Sequence, residues 1–153
     1  MYPGFQDFAE RYPSHPIITN TEVGTPVELT QEQFDSIFII NFAVNSLFKE
    51  KSDISGYGVG EYFDIMFNPE TDTGDCEDFA LTKMHRIIEA GILPAKNLQL
   101  IFCDVIGGGG HVVAGIQTVN RGFIILDNLF DVPVTKKALS GKYAWEAFQK
   151  VFK

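Results

Sequence analysis

The chain has 153 residues, 45% hydrophobic and 13% aromatic, with a formal net charge of -8. That length supports one domain with a real core and not two. The acidic balance, with no basic run longer than Lys136-Lys137, argues against a nucleic-acid backbone or an anionic membrane as partner, and no apolar stretch is long enough for membrane insertion.

Residues 1–29 carry Pro3, Pro13, Pro16 and Pro26 without a sustained period, so an irregular arm is expected, docked through Tyr2, Phe5, Phe8 and Tyr12. His15, between Ser14 and Pro16, reads as a surface turn residue. Met1 is not followed by a basic region and an apolar signal core, so the chain is expected to stay where it is made unless a leader was removed. Residues 30–153 then form the domain proper. Thr30-Gln31-Glu32-Gln33 fits a capping box, opening a helix to about Lys49 with Phe34, Ile37, Phe38, Phe42, Val44, Leu47 and Phe48 on a broad apolar face. Asn41 and Asn45, four apart, share a stripe on it. Such amides are either satisfied buried hydrogen bonders or groups facing a reaction site. Residues 52–60 form a loop broken by Gly56, Gly58 and Gly60, and residues 61–67 a short helical turn. The spaced glycines lack a preceding strand and a Lys-Ser/Thr ending, which argues against a nucleotide site.

Gly74-Asp75-Cys76-Glu77-Asp78-Phe79-Ala80 places a cysteine where a loop turns into a helix. Phe79, Leu81, Met84, Ile87 and Ile88 recur at helical spacing, and Gly91 supplies a stop, so the helix runs to about Ala90. Free N–H groups and the helix dipole at that end favour a thiolate. Three carboxylates around the thiol oppose one. Either Asp75 and Asp78 cap the helix and point away from sulfur, or a hard cation such as Ca²⁺ cancels the charge of Asp75, Glu77 and Asp78. Cys76 is then a nucleophile or a small buried hydrophobe.

Beyond the helix the period changes. Residues 98–106, 111–119 and 123–127 read as three strands, rich in Val, Ile and Phe, whose short connections imply an antiparallel meander. Gly107-Gly108-Gly109-Gly110 makes the first hairpin. His111 opens the second strand and Asp127 ends the third, so Cys76, His111 and Asp127 supply nucleophile, base and orienter from adjacent elements. His85, nine residues after Cys76, is turned away and is a poor base. Register tests this set. A directly opposed His111 and Asp127 needs a hairpin centred near Val119, whereas Asn120-Arg121-Gly122 centres it nearer Arg121. That offsets the pair by about four residues, or roughly 13 Å. Residues 136–153 are expected to form a last helix with Trp145, Phe148, Val151 and Phe152 inward. Cys76 and Cys103 are too few for a disulfide framework.

The combination Asn41-x-x-Val44-Asn45, Tyr57-Gly58, Glu61-Tyr62-Phe63, the cysteine block, Gly110-His111-Val112-Val113 and Leu126-Asp127-Asn128-Leu129 resembles the bacterial transglutaminase-like cysteine peptidases. That family includes a calcium-dependent periplasmic protease that releases biofilm adhesins. The resemblance spans about residues 33–129 and implies a papain-like α/β (α+β) fold, the cysteine helix packed on an antiparallel sheet. It also implies a cysteine endopeptidase with Cys76, His111 and Asp127 as triad. Calcium would be bound by Asp75 and Glu77, with Asp78 a further ligand. Tyr62-Phe63 stands where the family has Tyr-Trp, which alters one wall of the cleft. The implied partner is a protein or peptide substrate, with the oxyanion held by the Cys76 N–H and the Asn41 or Asn45 amide. The same residues also suit acyl transfer to an amine, hydrolysis of a non-protein amide, or a calcium-binding module without turnover. A shortened cytoplasmic or phage-encoded member would have this sequence, as would a periplasmic one stripped of its leader; oligomeric state is unreadable.

Overall fold

The computed structural model describes residues 3–20, 22, 24–50 and 63–149. In chain order the elements are α1 (Pro3–Arg11), α2 (Pro16–Thr19), α3 (Gln31–Leu47), β1 (Lys49–Glu50), β2 (Thr73–Gly74), α4 (Cys76–Glu89), β3 (Gln99–Val105), β4 (Gly109–Gln117), β5 (Phe123–Leu126), β6 (Val134–Thr135) and β7 (Tyr143–Gln149). Five strands form an antiparallel sheet in the order β6-β5-β4-β3-β7, while β1 and β2 pair in parallel beside it. Helix α4 packs on β4, and α3 packs on α4. Among the described residues no helix is long and apolar enough to cross a membrane.

The two central helices form as their sequences dictate. Thr30 Oγ1 accepts the Gln33 N–H, and Gln33 Oε1 accepts the Thr30 N–H, completing the capping box of α3. Helix α4 buries Phe79, Leu81, Met84 and Ile87, and ends before Gly91, whose φ of 71° suits a residue without a Cβ. Its leading Gly74 is fixed by crowding. A Cβ there would lie 2.6 Å from Asp78 Cβ and 2.8 Å from Met66 Sδ.

The expected irregular N-terminal arm is instead helical. Pro3 and Pro16 stand at the first position of α1 and α2, where a missing N–H costs nothing. Phe5, Phe8 and Ile17 enter the same core as Leu81, Met84 and Leu100. Each such apolar burial contributes about 1.5–3 kcal/mol, enough to hold a short helix that would not form alone. From α1, Arg11 bonds Asp64 Oδ1 and the Phe63 carbonyl, and Tyr12 Oη donates to Asp64 Oδ1 at 2.8 Å.

Residues 63–67, expected as part of a helical turn, run without regular structure because their N–H groups are taken by side chains. The Asp64 N–H goes to Asp78 Oδ1, the Met66 N–H to Thr82 Oγ1 and the Phe67 N–H to Asp72 Oδ2. Phe63 is buried, edge-on against Phe5. The loop at residues 52–60, with Tyr57 and Gly58, lies outside the described residues, as do Glu61 and Tyr62.

The expected C-terminal helix is also replaced. A 3-10 turn at Lys137–Leu139 leads into β7, which pairs with the edge of β3 through Tyr143↔Val105 and Trp145↔Cys103. Alternation decides this. Tyr143 is buried, Ala144 exposed and Trp145 half-buried, a period of two that a free sheet edge rewards over local helix propensity. Phe148 lies on β7, though nothing is described of its side chain, and Val151 and Phe152 fall outside the described residues.

His15 is not a free turn residue. Its Nδ1 accepts the Ile17 N–H and caps α2, so its proton sits on Nε2, 2.8 Å from His85 Nδ1. A proton added to either Nδ1 breaks one of these bonds. Burial, then the charge of His85, lower the pKa of His15 to about 4 against the pull of Glu89. Burial and Arg86 also lower His85, again opposed by Glu89. The unfolded chain therefore binds more protons between about pH 4 and 6.5, so this contribution to stability is present at neutral pH and lost as pH falls. The melting midpoint of the wild type is expected to drop more between pH 7 and 5 than that of His15→Asn, which keeps a capping side chain. Parallel slopes would refute the coupling.

Candidate active site

Three elements converge at the start of α4. Cys76 is its first residue, and the N–H groups of that turn have no acceptor within the helix. The backbone N–H of Val112, next to His111 on β4, acts to lower the pKa of the thiol, and α4 packs on that strand. The second cysteine, Cys103, is buried opposite His111 in the β3–β4 ladder, its thiol directed at the His111 carbonyl.

His111 and Asp127 are joined, His111 Nε2 donating to Asp127 Oδ1 at 2.8 Å. Strand pairing brings this about. Gln117 pairs with Phe123, so the hairpin is centred on Asn120, between the two expected centres. His111 and Asp127 are thus offset by two residues rather than four, about 7 Å along a strand, and the imidazole spans the gap without a bulge.

Asp127 is completely buried. Its Oδ1 also accepts the Leu129 N–H at 2.9 Å, and its Oδ2 accepts the hydroxyl of Tyr143. Burial works to raise its pKa, but the bonds from His111, Tyr143 and Leu129 outweigh it and hold the carboxyl below its ordinary value. An ionised Asp127 only accepts, so His111 carries its proton on Nε2 and presents Nδ1 as the free lone pair.

Tyr143 was not legible as a site residue. It comes from β7, reaches Asp127 and packs its ring edge-on to His111, with centroids 5.6 Å apart at 88°. The only local signal is an aromatic with a polar tip at an inward strand position. Tyr143→Phe keeps the ring and removes one hydrogen bond to a buried charge. Turnover is expected to fall roughly 10-fold with little change in KM, the scale of one charge-assisted bond. Unchanged kcat would remove Tyr143 from the site.

Asn41 and Asn45 do not face a reaction site. Asn41 Nδ2 donates to the carbonyls of Phe130 and Asp131 at 3.1 and 3.0 Å. Asn45 Nδ2 donates to those of Asp127 and Phe130 at 3.0 and 2.8 Å. Both hydrogens of each amide are therefore spent on the loop after Asp127, leaving none for an oxyanion. The two asparagines fasten that loop to α3.

The acids around Cys76 divide into two uses. Asp78 is a brace, its Oδ1 and Oδ2 accepting the Asp64 and Asp75 N–H groups. Glu77 is buried, with Oε2 accepting the Cys76 thiol at 3.3 Å and Oε1 unpartnered. Asp75 Oδ1 is likewise buried and unpartnered. Burial and the charge of Asp75 push Glu77 and Asp78 well above the ordinary carboxyl range. Burial and Glu77 push the Cys76 thiol up, against the Val112 N–H. Among the described residues no cluster of three or more His, Cys, Asp or Glu side chains is arranged to enclose a metal ion. The donor set nevertheless suits a hard cation, since Asp75 and Glu77 bring two buried carboxylate oxygens together that no donor from another residue reaches.

The fold resembles LapG of Legionella pneumophila. Against its calcium-bound form the TM-score is 0.59 at 22% identity, covering 74% of this chain and 68% of that one. The EGTA-treated form gives 0.54 at 21%, covering 74% and 66%. These likenesses carry the architecture of helices on an antiparallel sheet. No curated protein sequence matches the chain. The family model for the bacterial transglutaminase-like cysteine proteinase BTLCP matches residues 2–150. Matched over nearly its whole length, this chain belongs to the bacterial transglutaminase-like cysteine proteinase family and is a cysteine protease.

Proposed function

We propose that this protein hydrolyses a peptide bond of a protein substrate through Cys76, His111 and Asp127, with calcium bound beside the nucleophile. The observation that carries the reading is the buried His111–Asp127 pair, whose histidine stands on β4, the strand against which the helix opened by Cys76 packs. Asp127 fixes the imidazole with Nδ1 free, so Nδ1 takes the thiol proton. The Cys76 sulfur attacks the substrate carbonyl, and the amine leaves with the proton returned by His111. Water, deprotonated by the same nitrogen, then cleaves the thioester. The Cys76 N–H, without a helical acceptor, holds the oxyanion.

Asp75 and Glu77 would hold the calcium, with Asp78 bracing the turn or lending a further oxygen. The ion would neutralise carboxylates that otherwise keep the thiol protonated. The calcium-bound state of LapG is consistent with this assignment.

Iodoacetamide labelling of Cys76 at pH 7 tests the reading, run with calcium, with chelator, and on His111→Ala. Fast labelling that requires both calcium and His111 is expected. Labelling at the rate of a free thiol in all three would overturn it.

A further inference from the structure

Lys83 is fully buried in α4, seven residues or nearly two turns after Cys76, and its Nζ has no hydrogen-bond partner among the described residues. A buried ammonium without a partner is costly, and a methionine of similar length would fill the same space without that penalty. Its surroundings give the charge a purpose. The acids that act on it are Asp127 and Asp131, at the two ends of the loop whose carbonyls take the Asn41 and Asn45 amides. Burial lowers its pKa to about 7, and those two carboxylates pull the other way. Asn41 Oδ1 and Asn45 Oδ1, in the same amides, are themselves buried acceptors without a donor. The Lys83 amine has three N–H donors without an acceptor, and the two amides that fasten this loop to α3 have oxygens without a donor.

We propose that Lys83 is a positioning residue for Asp127: its ammonium, buried in α4 and attracted by Asp127 and Asp131, holds the 127–131 loop so that Asp127 meets His111. This rests on the triad reading and adds to it a fourth charge, buried and attracted by Asp127. The site keeps this charge against stability, as functional sites do. Lys83 touches no reacting atom and acts only through the loop.

The test compares the wild type with Lys83→Met and Lys83→Gln in the full chain, with calcium present. The melting midpoint of Lys83→Met is expected at or above that of the wild type. The low-field NMR resonance of the His111 Nε2 proton shifts or exchanges faster, and Cys76 labelling by iodoacetamide falls roughly 10-fold, the rate equivalent of one lost charge contact. Lys83→Gln retains donors without charge and is expected to lie between. A Lys83→Met protein with the wild-type resonance and labelling rate would overturn the proposal. If Lys83→Met does not fold, Lys83→Gln decides by the same two readouts. Failure of the triad reading shows differently, as wild-type labelling no faster than in His111→Ala. The imidazole resonance still reports on Lys83 in that case.

Discussion

Asp127→Ala is expected to lower turnover by about 10⁴-fold, and Asp127→Asn by only about 10²-fold. The difference follows from what surrounds the carboxylate. Its Oδ1 accepts from both His111 Nε2 and the Leu129 N–H, whereas Oδ2 meets only the Tyr143 hydroxyl. An asparagine is therefore forced to place its oxygen at the Oδ1 site, because an NH₂ there would face two donors. Its nitrogen then faces Tyr143, whose hydroxyl rotates to accept. The imidazole keeps its tautomer and loses only the charge that stabilises the imidazolium. Alanine loses both and leaves three buried donors unpaired, which also destabilises the fold by several kcal/mol. Steady-state kinetics of the two variants, with melting curves to separate folding from chemistry, check this. Equal losses would show that tautomer control does not run through the Leu129 N–H.

The readable parts of this molecule are those whose causes are local. The capping box at Thr30, the helix between Cys76 and Gly91 and the turns after Val105 and Gln117 each rest on a few consecutive residues, and each stands where its signal lies. The His111–Asp127 pairing was nearly readable, since strand register is set by one short connection and settled two residues from ideal opposition. What the sequence concealed depends on distant partners. Residues 143–149 look helical in isolation and become a strand because β3 offers an unpaired edge, and with them Tyr143 arrives at Asp127. The prolines at positions 3 and 16 signal helix starts rather than breaks only once Phe5, Phe8 and Ile17 have a core to enter. Asn41 and Asn45 were visible as a stripe, but their acceptors lie more than eighty residues away. Lys83 did leave a local trace, a lysine interrupting the apolar series Phe79 to Ile87 at steps of four, where a solvated residue does not belong.

Calcium is expected to raise the melting midpoint of the wild type by roughly 5–10 °C at a hundredfold excess over its Kd, the shift that about 2.7 kcal/mol of linkage produces in a domain of this size. Three carboxylates within four residues, Glu77 and Asp78 nearly inaccessible, repel one another, and two of their oxygens have no donor to share the charge. Such a cluster costs stability until a cation joins it. Glu77→Gln should therefore behave in opposite directions under the two conditions. In chelator it is expected to melt above the wild type, because a buried carboxyl whose pKa is raised to about 9 must take up a proton on folding and an amide need not. With calcium it is expected to melt below, because a ligand has gone too. Asp78→Asn differs again. Its carboxylate accepts the Asp64 and Asp75 N–H groups, so an amide there turns a donor toward one of them and melts lower in both conditions. Differential scanning calorimetry of the three proteins, with and without chelator, separates ligand from brace. A Glu77→Gln curve that tracks the wild type in chelator and in calcium would place any calcium elsewhere and leave Glu77 as the acceptor of the Cys76 thiol alone.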